Sequence, residues 1–121
     1  MAEPSPSYEK FETDVLLNST EDLDLVLMSW WIANGLYPNE PVSARLAMAE
    51  RAIRSLAYAG LIALYRGRQV EADREVPTAE YEDILRRWGT WTGVTDDPEG
   101  QIFFTATEAG RRVYQDRIAK P

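Results

Sequence analysis

The residues of this sequence that could perform chemistry are few, because two of the usual types are missing. The 121-residue chain contains no Cys and no His, so it has no thiolate nucleophile, no Cys-ligated zinc site and no imidazole base. Its two lysines, Lys10 and Lys120, lie near the chain ends, where a desolvated Lys nucleophile is not expected. Carboxylates, hydroxyls and tyrosines remain, and we expect a protein that is not an enzyme.

The carboxylates form three short clusters, and none of them has the spacing of a metal site. The EF-hand pattern of spaced acids, Gly and a distant Glu is absent, and no His completes a mixed site. Helix capping, turn formation and solubility explain the clusters, so we expect no metal and no cofactor. The clusters are Asp22/Asp24, Glu71/Asp73/Glu75 and Asp96/Asp97/Glu99.

The charge is unevenly distributed along an acidic chain. The net charge is −7, which disfavours indiscriminate binding to nucleic acid or to an anionic membrane. Residues 41–68, in contrast, contain five arginines and a single acid, Glu50. No apolar run is long enough to span a bilayer and the N-terminal residues lack a secretory signal. We therefore expect a cytoplasmic protein with no membrane partner and look for its function in the basic segment.

Hydrophobic periodicity predicts the elements that position this segment. We expect residues 1–7 to be a disordered tail. Residues 8–121 are expected to form a single domain that begins with a short helix or an extended arm. Ser19 or Thr20 is expected to cap the next helix and Gly35 to follow its end. A β-hairpin is expected across residues 96–100. The pattern predicts helices at about 20–34, 42–59, 78–88 and 108–118, and strands at about 61–65, 90–95 and 101–106.

The predicted helix at 20–34 is apolar on two sides, so two surfaces must cover it. One stripe is formed by Leu25, Met28 and Ile32, with Trp31 beside it. Either the N-terminal arm covers this stripe, or it forms a homodimer or partner interface, for which Trp and Met are suited. The sequence leaves both alternatives open.

Two stretches resemble the winged helix-turn-helix superfamily. Ala52-Ile-Arg-Ser-Leu56 through Ala59-Gly-Leu-Ile62 is similar to a recognition helix that turns into the first wing strand, and Phe104 to Arg111 to the passage from the wing into a last helix. The resemblance implies an α+β fold of helices and a small antiparallel wing sheet. It departs from the family in two ways: the second helix, between Gly35 and Val42, is short or missing, and residues 67–100 insert a helix between the wing strands.

The resemblance also implies a DNA-binding face on the recognition helix and the wing. It predicts a small transcriptional regulator, dimeric through its N-terminal helices, that binds double-stranded DNA by pairing arginines with guanine edges or phosphates. The DNA-binding residues would be Arg45, Arg51, Arg54, Ser55, Tyr58, Arg66 and Arg68.

The alternative is an acidic protein-binding inhibitor, of the antitoxin or immunity type, that uses the same scaffold to cover a basic protein. The net charge favours it, as do Met48 and Tyr58 on the basic helix, because both types are common in interfaces. The arrangement of charge distinguishes the two hypotheses. One exposed arginine stripe would favour DNA, whereas acids of residues 71–75 folded onto that stripe would favour a protein partner.

Overall fold

The structure, a computed structural model, describes residues 7–21, 24–68, 71–92 and 101–119. Over these residues the fold is α+β, with six α-helices and one four-stranded antiparallel sheet. The helices are α1 Tyr8–Glu21, α2 Met28–Leu36, α3 Val42–Tyr58, α4 Tyr81–Leu85, α5 Trp88–Thr92 and α6 Glu108–Ala119, with a 3-10 turn, Thr78–Glu80, before α4. The strands are β1 Asp24–Leu25, β2 Ile62–Arg68, β3 Glu71–Glu75 and β4 Gln101–Ala106.

The sheet has the strand order β1-β4-β2-β3. Strand β4, one of the two inner strands, pairs along one edge with β1 and along the other with β2, where Leu64 lies opposite Phe104. The predicted hairpin between residues 90–95 and 101–106 is therefore wrong. Residues 90–92 belong to α5, and both edges of β4 are taken by other strands. Residues 93–100, which include the expected turn, lie outside the described residues.

The prediction of one helix over residues 20–34 is also wrong. Asp24 and Leu25 form β1, and the Val26 amide donates to the Ile102 carbonyl at 3.0 Å. Pairing with β4 outweighs the local helix propensity of this segment. The Ser19 hydroxyl donates to the Leu16 carbonyl within α1, so it does not act as the expected N-cap. Two helices, α1 and α2, thus precede α3, and between α2 and α3 the described residues 37–41 form a turn and no separate helix.

The N-terminal segment is a helix and not an extended arm. On α1, Phe11, Val15 and Leu16 are fully buried, and the helix packs against α2, α3, β4 and α6. Residues 1–6, most of the predicted disordered tail, lie outside the described residues. Gly35 does not follow a helix end as expected, because α2 continues to Leu36.

The region from α3 to β2 agrees with the prediction. Ala49, Ala52, Ile53 and Leu56 form the buried side of α3. Gly60 has the left-handed φ of 75° that ends a helix, and the Leu61 amide then donates back to the Leu56 carbonyl at 2.9 Å. Strand β2 begins at Ile62, close to the predicted position.

The start of α6 is joined to this turn by backbone contacts. Thr107, the residue before α6, donates its hydroxyl to the Gly60 carbonyl at 2.6 Å and accepts from the Gly110 amide at 3.1 Å, so it caps the helix. A Cβ built on Gly110 would lie 1.9 Å from the Leu61 carbonyl oxygen. Glycine is therefore required at residue 110 for α6 to pack against the turn between α3 and β2.

The segment between β2 and β4 contains β3, the 3-10 turn, α4 and α5. The helix predicted over 78–88 is interrupted, because the Thr90 hydroxyl donates to the Ile84 carbonyl at 2.7 Å and Trp91 Nε1 donates to the Leu85 carbonyl at 2.9 Å. Those carbonyls would otherwise accept from the next helical turn. Among the described helices, none is both long and apolar enough to cross a membrane.

We expect Gly110→Ala to destabilise the fold more than Gly60→Ala. At residue 60 a methyl group meets no neighbour within 4 Å and only the left-handed backbone is strained, which costs about 1–2 kcal/mol. At residue 110 the methyl group overlaps backbone atoms, so α6 must shift at a cost of about 3 kcal/mol. Urea unfolding followed by far-UV circular dichroism measures both, and equal losses would contradict the close contact.

Candidate interaction site

The solvent-facing side of α3 carries mostly small residues. Ser43, Ala47, Arg51 and Ser55 recur at every fourth position and are exposed, so they line one face of the helix. Tyr58 continues this side at the helix end, with 52% of its surface exposed. Met48, which the sequence placed on the exposed face, is half-buried and packs against the core.

The carboxylate of Glu82 on α4 connects α4 to the exposed side of α3. Arg54 Nη1 donates a short hydrogen bond to Glu82 Oε2, and the Tyr58 hydroxyl donates to the same oxygen at 3.0 Å. Arg86 Nε donates to the other oxygen at 3.1 Å. Arg54 also donates through Nη2 to Glu50 at 3.1 Å. Two glutamates thus bind one arginine, and one of them also orients Tyr58.

The pKa directions agree with this geometry. The hydrogen bond from Tyr58, followed by the bond and charge of Arg54, lowers the pKa of the Glu82 carboxyl, although burial opposes this. Burial tends to lower the pKa of Arg54, but its hydrogen bonds to Glu50 and Glu82 together raise it. Burial and the bond to Glu82 raise the pKa of Tyr58. At neutral pH this is a charged, hydrogen-bonded network with a neutral tyrosine.

The predicted DNA-binding arginines whose side chains the structure describes do not form one exposed stripe with Arg54. Arg66 on β2 has a side chain only 12% exposed and lies 3.6 Å from Glu80. Arg51 places its guanidinium 3.9 Å above the ring of Tyr8. Arg45 is half-buried, and its Nε has no hydrogen-bond partner among the residues that the structure describes. Ser55 is exposed, and the side chain of Arg68 lies outside the described part of the structure.

An acid does fold onto this side of α3, and it comes from outside the cluster at residues 71–75 that the sequence suggested. The side chains of Glu71 and Asp73 lie outside the described residues, and Glu75 pairs with Tyr65 in the sheet. The acid in contact with α3 is Glu82, which binds Arg54, whereas Glu80 lies against Arg66 on β2. Nothing local in the sequence reveals the contact between Arg54 and Glu82, which are 28 residues apart.

We call Arg51, Ser55, Tyr58 and Glu82 the α3–α4 face. It combines one exposed arginine, an exposed hydroxyl, an exposed aromatic ring and a carboxylate that is already hydrogen-bonded. The Tyr58 ring lies 6.1 Å from the ring of Tyr81, measured between centroids. Its hydroxyl bond and this ring contact hold Tyr58 in one orientation while its surface stays accessible.

The predicted dimer or partner residues lie on two different elements. Leu25 is half-buried in β1, whereas Met28, Trp31 and Ile32 are on α2. Met28 and Ile32 are half-buried, but Trp31 is 60% exposed. Although α1 packs against α2, it leaves Trp31 uncovered.

Within the described part of the chain, no three His, Cys, Asp or Glu side chains lie close enough together to hold a metal ion. Comparison with known proteins finds no match to this chain among protein-family models, curated proteins or solved structures. The site must therefore be interpreted from its own geometry.

We expect Glu82→Gln to destabilise the protein at pH 7 but not at low pH. Because folding lowers the pKa of Glu82 below its usual 4.5, the carboxylate stabilises the fold above the unfolded-state pKa. This contribution disappears as pH falls through the folded-state pKa. The difference in free energy of unfolding between wild type and variant should therefore shrink between pH 7 and pH 3, measured by urea unfolding.

Asp83→Asn is the matched control for this measurement. Asp83 lies beside Glu82 on α4 and binds Arg87 four residues later, so its loss does not remove a bond to α3. We expect the smaller effect at pH 7. A Glu82→Gln difference that is no larger, or that is constant with pH, would contradict the bonding of Glu82 to Arg54 and Tyr58.

Proposed function

We propose that this chain is a non-catalytic binding module of the winged-helix type that binds a protein partner through the α3–α4 face. The class of function it supports is an inhibitor of a basic protein, of the antitoxin or immunity type. The observation that carries the proposal is the double role of Glu82, which neutralises Arg54 and orients Tyr58.

The order of the elements supports the winged-helix assignment. When β3, α4 and α5 are left out, the order is α1, β1, α2, α3, β2 and β4, that is, a helix, a strand, two helices and two paired strands. In the sheet, β4 lies between β1 and β2. Residues 37–41 form the turn between α2 and α3. On this assignment β3, α4 and α5 are an insertion between the wing strands. Such a fold serves many functions, so the function must be argued from the site.

The ion pairs on α3 and β2 favour protein over DNA. A DNA-binding arginine needs its guanidinium available for phosphate oxygens or base edges. Arg54 donates instead to two glutamates, and Arg66 lies against Glu80. Phosphate binding would have to displace carboxylates of the same chain and bring more negative charge beside them.

The orientation of Tyr58 gives the surface an anchor for a protein partner. Interface hot spots are enriched in Tyr, and a side chain already held in its bound conformation loses less entropy on binding. Tyr58 is exposed, and its hydroxyl and ring both have contacts within the chain. Ser55, one turn before Tyr58 on the exposed side of α3, is small, so a partner can approach the helix closely beside the ring.

The charge of the chain selects the kind of partner. A net charge of −7 speeds encounter with a basic protein and disfavours acidic ones. Arg51, exposed on the same face, adds the opposite charge at one point, which favours a partner that presents an acid there within a basic surface.

Capture of partners from a lysate of the native cells tests this proposal. The baits are the wild type, Tyr58→Ala and Ile118→Ala, the last an exposed apolar control on α6. We expect one basic protein to be retained by wild type and control. Tyr58→Ala should lose it, because truncation of a hot-spot aromatic costs about 2 kcal/mol or more, roughly thirtyfold in affinity.

Retention of the protein by Tyr58→Ala at wild-type strength would contradict the assignment of this face. DNA is the competing ligand and is tested in parallel, by fluorescence anisotropy with duplexes from the native genome at low and moderate salt. We expect no saturable binding by the wild type. Binding that weakens steeply with salt and is lost in Arg51→Ala would establish the DNA-binding function instead.

A further inference from the structure

Arg51 differs from most of the described arginines in what its guanidinium contacts. It has no carboxylate partner among the described residues, and its guanidinium carbon lies 3.9 Å from the centroid of the Tyr8 ring. Such a cation–π contact orients an arginine without neutralising its charge. The arginines that do pair with a carboxylate of the same chain are Arg54, Arg66, Arg86, Arg87, Arg112 and Arg117.

Two acids adjoin this contact along the chain, and each binds a different arginine. Glu50, the residue before Arg51 on α3, binds Arg54 at 3.1 Å. Glu12, one turn after the tyrosine on α1, is buried and accepts a hydrogen bond from Arg117 at 2.8 Å. Neither of these carboxylates is directed at Arg51. Its charge is therefore available to an acid from outside the chain.

The Tyr8 ring is a fixed support for the guanidinium. It is half-buried and lies 6.3 Å from the ring of Phe11, which is fully buried and packs edge-on against Tyr37. Burial, followed by the charge of Glu12, raises the pKa of Tyr8 to about 12, so the ring is neutral at neutral pH. A support that is ordered before binding reduces the entropy that the arginine loses when it binds a ligand.

The contact with the ring leaves the hydrogen-bond donors of Arg51 available. At 3.9 Å the planar guanidinium lies against the face of the ring, whereas its five N–H groups point outward in the plane of the guanidinium. This fork matches the two oxygens of a carboxylate, with which it forms two parallel hydrogen bonds. Ser55, exposed one turn later on the same side of α3, offers a further hydroxyl.

The charges around Arg51 favour a carboxylate over a phosphate group. Salt bridges compensate Arg54 and Arg86 with Glu50 and Glu82, which leaves Arg51 as the uncompensated charge of this surface. One guanidinium balances one carboxylate. A phosphate monoester carries a charge of about −2, and it would leave negative charge beside the two glutamates.

Building on the proposed protein-binding function, we propose that Arg51, supported by Tyr8, selects the partner by donating two parallel hydrogen bonds to one Asp or Glu side chain. Tyr8 lies on α1, so the binding surface extends from the α3–α4 face onto a third helix. Tyr8 is a positioning residue, because it acts through Arg51. The partner, basic overall, presents a single acid at this point.

NMR titration of the full chain with sodium acetate, a free carboxylate, tests the site without a partner. Chloride replaces acetate in the reference, so that ionic strength stays constant, and Arg51→Lys assigns the Arg51 side-chain N–H resonance. This resonance should shift saturably, and that of Arg112, which is exposed and bound to Glu108, should shift less. Tyr8→Leu should weaken acetate binding roughly threefold, because the ring contact is lost, and Tyr8→Phe should bind as the wild type does.

Circular dichroism checks that each Tyr8 variant is folded. An Arg51 resonance that responds no more than that of Arg112 would overturn the carboxylate site. Equal acetate binding by folded Tyr8→Leu and the wild type would overturn the positioning role. Inorganic phosphate is titrated in parallel, and tighter binding of phosphate than of acetate would overturn the choice of a carboxylate.

The protein captured with the wild-type bait provides the second test. Arg51→Ala should weaken its binding by about tenfold, as expected for hydrogen bonds to a charged group, and Arg51→Lys should not restore it, because an ammonium cannot form the fork. Arg112→Ala removes the same charge from exposed α6 surface and should bind as the wild type does. Loss of the protein by Tyr58→Ala alone would overturn the role of Arg51 and leave the proposed function standing. Retention by both Tyr58→Ala and Arg51→Ala would overturn both.

Discussion

The fold depends on a backbone contact between the start of α6 and the turn that follows α3. Gly110 packs where any side chain would overlap the Leu61 carbonyl, and Thr107 bonds the carbonyl of Gly60. This junction fixes where β2 leaves α3. Since β2 then pairs with β4 in register from Ile62 to Gly67, the same junction sets the position of the sheet. It also determines where the segment after β2 can return to α3.

The packing of α4 against α3 determines the chemistry of the exposed side of α3. Because α4 comes back beside α3, Glu82 meets Arg54 and Tyr58 at the place where a basic helix would otherwise offer a cation. The face becomes a balanced network around an exposed aromatic ring. The second exposed aromatic, Trp31, belongs to another element and has no charge on its helix. The two surfaces therefore differ in character: the α3–α4 face is polar and its side chains are oriented by hydrogen bonds, whereas the surface around Trp31 is apolar.

Elements with local signals were predictable from the sequence, and elements held by distant pairing were not. Three features are local sequence signals of this kind: the apolar spacing of α3, the glycine that ends it and the threonine that caps α6. Asp24 and Leu25 do not: they form a strand only because β4 lies beside them. The break between α4 and α5 likewise depends on Thr90 and Trp91 bonding the carbonyls of α4. The five candidate arginines were found from composition, but the glutamate partners of Arg54 and Arg66 could be identified only from the folded chain.

The most direct test of protein binding through the α3–α4 face is a photo-crosslinking amino acid placed at Ser55, the exposed position between Arg51 and Tyr58. The chain is irradiated in its native cells, and the adduct is treated separately with nuclease and with protease. A face that binds protein predicts an adduct of one discrete mass that nuclease leaves unchanged and that contains peptides of a single basic protein. An adduct that nuclease shortens would show that α3 lies on DNA and would contradict protein binding by this face.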